Sequence, residues 1–170
     1  GELEWAIVDE ELNPYVDALF KKVDMALFGR VCYLGMQSYW PTVLTDPEAT
    51  PRDRAHARWI EDIPKIAFSR TLSSADWKNS RLIKDQIPEE IAALKREPGR
   101  DLMIFGSPTL THSFMRLGLI DEYRLFLNPI VLGGGIPLFQ DIKDWTKLKL
   151  LETKTFQAGV VGLHYQTIRP

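Results

Sequence analysis

The sequence predicts an α/β fold, a mostly parallel mixed sheet with helices on both faces and an antiparallel edge at its C-terminal end. Three observations lead there. Two apolar runs, Met25-Ala-Leu-Phe28 and Leu102-Met-Ile-Phe105, each pass through a single glycine into a helical pattern. Strand and helix patterns alternate up to Gly118. Beyond it strand-like runs follow one another directly, which suits antiparallel pairing. A chain of 170 residues, 45% hydrophobic, is long enough for one buried core, so one domain over residues 1–170 is expected.

Leu12 to Val23 reads as a helix with Val16, Leu19, Phe20 and Val23 on one face and Pro14 in its first turn. Met25 to Phe28 is a strand ending at Gly29, and Val31 to Tyr39 is a helix that stops before Pro41. An Arg-rich helix over Pro51 to Ile60 leads to the strand Lys65-Ile-Ala-Phe-Ser69, then to a loop holding Thr71, Ser73, Ser74 and Asp76. Arg81 to Lys84 is a short strand, and Pro88 to Leu94 a helix that ends near Pro98-Gly99. Asp101 to Phe105 is apolar after its first residue, as a strand covered on both faces requires. Gly106 then turns the backbone, Ser107 caps the next helix, Pro108 suits its first turn, and Gly118 closes it. Glu122 to Leu132 is β-rich, broken at Pro129 and followed by Gly133-Gly134-Gly135. Lys147 to Phe156 and Val160 to Ile168 are expected to pair as a hairpin across Gln157-Ala-Gly159.

The net charge of -2 supplies no broad field for nucleic acid or an anionic membrane, so a small-molecule partner is expected. The single cysteine, Cys32, excludes an internal disulfide framework and fits a reducing compartment; with no apolar run of bilayer length, cytoplasm is the expected location. The chain opens at Gly1 without an initiator Met, so a preceding piece is expected to be missing from it.

The strand ends carry the candidate chemistry. Freed N–H groups and the positive dipole end at a helix start favour a bound phosphate, and Gly29-Arg30 and Gly106-Ser107 both occupy such junctions. Arg30 offers a fork of donors suited to phosphate, and a third strand end supplies Ser69, Arg70 and Thr71. Taken alone, Gly106-Ser107-Pro108 is equally a plain connector, and Gly133-Gly134-Gly135 reads equally as a backbone approach to a diphosphate or as a turn. His56, His112 and His164 lack companions at metal-ligand spacing, so no metal is expected. Cys32 fits a small buried side chain better than a nucleophile. Asp9, Glu10, Glu11 and Asp17 lie near or on the first helix, where a carboxylate is either a proton relay or a helix-start charge. Tyr33, Tyr39 and Trp40 line either a pocket or the core.

These residues resemble a known family, the reductase domain at the C-terminus of bacterial bifunctional riboflavin-biosynthesis deaminase-reductases, which shares the dihydrofolate reductase fold. The resemblance is carried by Leu27-Phe-Gly-Arg-Val-Cys-Tyr33 with Met36 and Tyr39-Trp-Pro41, by Lys65 to Leu72, and by Asp101 to Leu110. Gly118-Leu-Ile-Asp-Glu-Tyr-Arg124 and Pro129 to Phe139 complete it, so it spans nearly the whole chain. It implies a dihydrofolate reductase-like fold and an NADPH-dependent reductase resembling the 5-amino-6-(5-phosphoribosylamino)uracil reductase of riboflavin biosynthesis, with hydride passing to a small heterocycle. Gly29, Arg30, Ser69, Arg70 and Thr71 would then hold the adenosine and its 2'-phosphate, and Gly106, Ser107, Thr109 and Leu110 the diphosphate. Leu132 and Gly133 would lie near the cofactor or close the crevice, and Trp40 and Tyr39 would line the substrate pocket. Relatives pair as homodimers through their C-terminal strands, for which Leu148, Leu150 and Val160 to Leu163 supply an apolar face. Family members ordinarily begin with a strand ending in a segment like Ser-Leu-Asp-Gly; this chain starts after it. Cys32 stands where Thr is common, and no acidic residue of the first helix clearly matches the proton donor of dihydrofolate reductases, with Asp17 the nearest candidate. A dihydrofolate or pterin reductase, or a non-catalytic homodimeric nucleotide-binding module, is the alternative.

Overall fold

The apolar runs Met25 to Phe28 in β1 (Val23–Gly29) and Ile66 to Phe68 in β2 (Lys65–Phe68) suit strands at the centre of a parallel sheet. In this computed structural model, which describes residues 5–7, 10–140, 142 and 145–169, the sheet has four strands in the order β3-β2-β1-β4, with β3 at Ser80–Ile83 and β4 at Asp101–Ile104. All its pairings are parallel. The chain divides into two compact units, one of residues 22–111 that holds this sheet, the other of residues 1–21 and 112–170.

In the first unit, β2 is buried at all four positions. Ala26, Phe28 and Ala67 join Tyr33, Ile60, Ile63 and Trp77 in the core on one face of the sheet, while Leu27 and Ile66, pointing the other way by strand alternation, are as deeply buried. Both faces of its centre are therefore closed. Helix α2 (Arg30–Val43) packs on β1 and β2 and against α3 (Pro51–Asp62). α3 starts in a capping box, Thr50 Oγ1 accepting from the Asp53 N–H at 3.1 Å while the Asp53 carboxylate accepts from the Thr50 N–H at 3.2 Å. α4 (Ile87–Leu94) follows with Pro88 in its first turn and buries Ile91 and Leu94.

Two expectations change here. α2 continues through Pro41 to Val43 instead of stopping before it; the proline costs one amide donor only in the last turn, where Thr42 Oγ1 donates to the Tyr39 carbonyl at 2.7 Å. β4 is the edge strand among the described residues, half-buried at Leu102, Met103 and Ile104, because an apolar run reports burial on its faces and says nothing of a neighbour along its edge.

The second unit begins with α1 (Leu12–Phe20), shorter than the expected Leu12 to Val23 because the chain leaves helical geometry after Lys21 and Val23 opens β1. α5 (Pro108–Arg116) carries the unit boundary, which falls between Thr111 and His112. Gly118 closes it in the left-handed region at φ +63, with the Leu119 N–H on the Phe114 carbonyl and the Gly118 N–H on that of Met115, a Schellman arrangement. β5 (Glu122–Leu127), β6 (Leu148–Thr155) and β7 (Val161–Thr167) form an antiparallel sheet in the order β5-β7-β6. The expected hairpin is β6-β7, turning at Gly159 with φ +84. The antiparallel part is thus a sheet with its own hydrogen bonding. Its core joins Leu12, Phe156 and Val160 to Tyr15, Val16 and Phe126.

Candidate functional site

Parallel strands all point their carboxyl ends the same way, and the register here brings those ends level. Gly29 pairs with Phe68 and Phe68 with Ile83, while Leu27 pairs with Ile104, two residues before Gly106. Arg30, Ser69, Lys84 and Gly106 therefore leave one sheet along one rim. The three candidate junctions share it.

Two of them are tied together. The Gly29 N–H donates to Ser107 Oγ at 2.9 Å, and the Ser107 N–H donates to Cys32 Sγ at 3.0 Å. Gly106 and Ser107 both lie in the left-handed region, at φ +54 and +51. Glycine adopts that conformation freely and serine at a cost, so the two bonds across the junction hold the peptide between them in place. Ser107 starts α5 through its carbonyl, which accepts from the Thr111 N–H at 2.9 Å, while its hydroxyl accepts from Gly29 across the junction. Cys32 is half-buried and acts as a hydrogen-bond acceptor.

Gly29 itself has φ -76 and ψ 163, open to any residue. A Cβ added there would stand 3.5 Å from Leu110 Cβ and 3.6 Å from Ser107 Oγ, which are ordinary contacts. Neither backbone nor packing demands a glycine. A bare Cα beside two helix starts is the shape a close-lying phosphate needs.

The electrostatics agree with that shape. α2 and α5 carry no acidic residue in the first turn, whereas α3 has Asp53 and α4 has Glu89 and Glu90. The rim helices leave their positive poles uncompensated. Arg30 is the exposed first residue of α2, and among the described residues no salt bridge includes it. Arg70 faces Asp85 at 3.7 Å with both side chains largely exposed, a pair too solvated to hold it firmly. Ser69 Oγ accepts from the N–H groups of Thr71 and Leu72, each at 3.1 Å, and so shapes its own loop. Thr109 is exposed in the first turn of α5, and Leu110 is buried.

The other candidates lie elsewhere. Leu132, exposed, and Gly133, at φ +70, belong to the second unit between β5 and β6, and Asp17 sits half-buried on α1 in that unit. Asp9 lies outside the described residues. In the first unit Tyr39 is exposed and Trp40 half-buried, their rings 5.1 Å apart. Tyr33 is core: its hydroxyl accepts from the Trp77 N–H at 2.9 Å. No group of three or more His, Cys, Asp or Glu suited to a metal occurs among the described residues, nor is any helix there long and apolar enough to cross a membrane.

At the amino end of β2, opposite Ser69, Lys65 is 1% exposed. Its Nζ donates to the carbonyls of Glu61 at 3.0 Å and Ile63 at 2.8 Å and lies 4.6 Å above the Trp77 ring, binding the last turn of α3 to the sheet. Burial lowers its pKa to about 8. The sequence pattern does not distinguish it from a solvated strand-start lysine. The Ser107–Cys32 bond was equally hidden, because it joins residues far apart in sequence across two strand ends.

A four-stranded parallel sheet that collects helix starts along one rim, together with a three-stranded antiparallel sheet, is the dihydrofolate reductase-like class of α/β fold. Residues 1–162 match the RibD C-terminal domain family, and the chain belongs to it. It is similar to two uncharacterized proteins of Bacillus subtilis (strain 168): YwjB, 45% identical over 167 residues covering 97% of this chain and 86% of that protein, and YyaP, 35% identical over 165 residues covering 97% and 84%. Among solved structures it shares its fold with a putative riboflavin biosynthesis protein from Shewanella sp. PV-4, with a TM-score of 0.69 at 23% identity over 99% of this chain and 89% of that one.

Proposed function

We propose that this chain is an NADPH-dependent reductase of the riboflavin-biosynthesis type, transferring hydride to a small heterocycle like that of 5-amino-6-(5-phosphoribosylamino)uracil reductases. The observation that carries the reading is the level rim of the parallel sheet, where Gly29, Ser107 and Cys32 tie two helix starts together beside the exposed Arg30. Family membership points the same way. The bare Cα of Gly29 and the uncompensated poles of α2 and α5 fit a diphosphate, and Arg30 with the Ser69-Arg70-Thr71 loop fits the adenosine 2'-phosphate. NADPH would supply the hydride when bound; the protein's part is to fix the dinucleotide by its phosphates, orient the substrate ring and exclude water. As part of the same proposal the enzyme works in the cytoplasm and pairs with a second copy through Leu148, Leu150 and Val160 to Leu163; a monomer in sedimentation would remove the pairing.

The test is a fluorescence titration with NADPH. Saturable quenching of tryptophan emission is expected in the wild type, with affinity reduced at least about a hundredfold when Arg30 and Arg70 are both replaced by Ala, since each charged phosphate contact contributes about 1.5–3 kcal/mol. Indifference of the intact chain to NADPH would sink the reading.

A further inference from the structure

We infer that Asp85 is a specificity-determining residue, a resident counter-ion that competes for the Arg70 guanidinium and sets how strongly the rim prefers a 2'-phosphate to a free 2'-hydroxyl. The inference rests on the reductase reading for the dinucleotide itself and goes beyond it in naming a residue that works against the phosphate.

Register brings the two side chains together. Phe68 pairs with Ile83 at the last step of β2 and β3, and the Ser69 N–H continues the ladder by donating to the Ile83 carbonyl at 3.1 Å. The loops that leave these strands therefore run side by side, Ser69-Arg70-Thr71 from one and Lys84-Asp85-Gln86 from the other. Arg70 Nε and Asp85 Oδ1 are 3.7 Å apart.

No structural task accounts for Asp85. Its side chain is 76% exposed, and no hydrogen bond or ion pair joins it to any described residue other than Arg70. It stands directly before Gln86, the N-cap of α4, yet that helix start has no side-chain cap and takes the negative charge of its first turn from Glu89 and Glu90. Gln86 lies in the left-handed region at φ +54, so the turn that carries Asp85 holds a non-glycine residue in a costly conformation. Other aspartates of this unit join elements at hydrogen-bonding distance. Asp24 on β1 accepts from Arg100 Nε, just before β4, at 2.7 Å, and Asp62 at the end of α3 accepts from Lys78 Nζ at 2.7 Å. The Arg70–Asp85 pair is longer and largely in solvent.

Such a pair costs little to part, so Arg70 stays available to a phosphate, which offers its fork more acceptor oxygens and a second charge. Asp85 remains nearby once displaced. A carboxylate and a doubly charged phosphate about 6 Å apart in water repel enough to weaken binding about tenfold, and screening at physiological ionic strength reduces that to about threefold. A ribose hydroxyl carries no charge and meets no such repulsion. Arg30 and Lys84, both exposed at the same rim, keep its balance positive, so the phosphate is still preferred, by a narrower margin.

Calorimetric titration of the full chain with adenosine 2',5'-bisphosphate and with AMP, which differs only in lacking the 2'-phosphate, tests the inference. The wild type is expected to bind the bisphosphate more tightly. Asp85→Asn should tighten it about three- to tenfold in low salt and less than about twofold in about 0.5 M NaCl, with AMP affinity unchanged. In an Arg70→Ala background Asp85→Asn should change neither affinity, because the group competed for is gone. Circular dichroism melts confirm that each variant is folded. Bisphosphate affinity that stays the same or falls in Asp85→Asn, or an equal gain for AMP, overturns the inference and leaves the cofactor reading in place. A wild type that binds neither nucleotide overturns both.

Discussion

The two sheets of this protein put their polar residues in different places. In the parallel sheet the centre is closed on both faces, with β2 buried throughout, and the chemistry gathers along one rim at Arg30, Ser69 and Gly106. In the antiparallel sheet neighbouring strands point opposite ways, so no rim collects like ends, and the charged groups lie across a face. There Arg124 and His164 both reach Glu122, at 3.3 and 2.8 Å, and the Tyr15 hydroxyl donates to Glu152 at 3.3 Å. Burial and the nearby Glu152 carboxylate hold the Tyr15 phenol above its ordinary pKa, while Arg124 opposes them. Strand direction decides whether a sheet concentrates helix starts at an edge or spreads side chains over a surface.

The difference in closure predicts the largest effects. Ile66→Ala, on the fully buried β2, should cost about 2–5 kcal/mol in chemical denaturation, whereas Leu151→Ala, on the exposed β6, should stay within about 0.5 kcal/mol. Equal losses at the two positions would break the contrast. Next comes Lys65. Its folded pKa of about 8 lies below the ordinary 10.5, so between those values the unfolded chain binds more protons and stability should rise with pH, at up to about 1.4 kcal/mol per unit. Below about pH 8 the cost of burying the charge is fully present. A neutral amine still has donors for the Glu61 and Ile63 carbonyls, so α3 stays attached as the charge is lost. In Lys65→Met that share of the pH dependence should vanish, and two carbonyls losing their donor should lower stability by about 1–3 kcal/mol. Thermal melts from pH 7 to 10.5 on both proteins measure the difference. Smaller still, Ser107→Ala removes the acceptor of the Gly29 N–H and should cost about 1 kcal/mol, read from the shift in the denaturation midpoint; Ser107→Thr should fare no better, because a β-branched residue is strained in the left-handed region.

Local chemistry made much of this fold legible in advance. Gly118 at a helix end, the β6-β7 hairpin and the strand-glycine-helix junctions at Gly29 and Gly106 each depend on a few adjacent residues, and their turn chemistry is written in them. The rim required more. That Gly29, Phe68 and Ile83 come level is a property of register between strands far apart in sequence, and so is the bond from Ser107 to Cys32. The same limit hid the edge position of β4, whose apolar run is as consistent with a central strand. Pro41 misplaced the end of α2 because a proline near a helix terminus sacrifices one bond that the last turn can spare.

Gly29→Ala separates the fold from the cradle most directly. The substitution meets only ordinary contacts and an unstrained backbone, so the thermal midpoint should move by no more than a few degrees, while NADPH affinity in a calorimetric titration should fall at least tenfold. A variant that keeps both its melting temperature and its wild-type affinity would contradict the account, because the dinucleotide would then not lie against the end of β1.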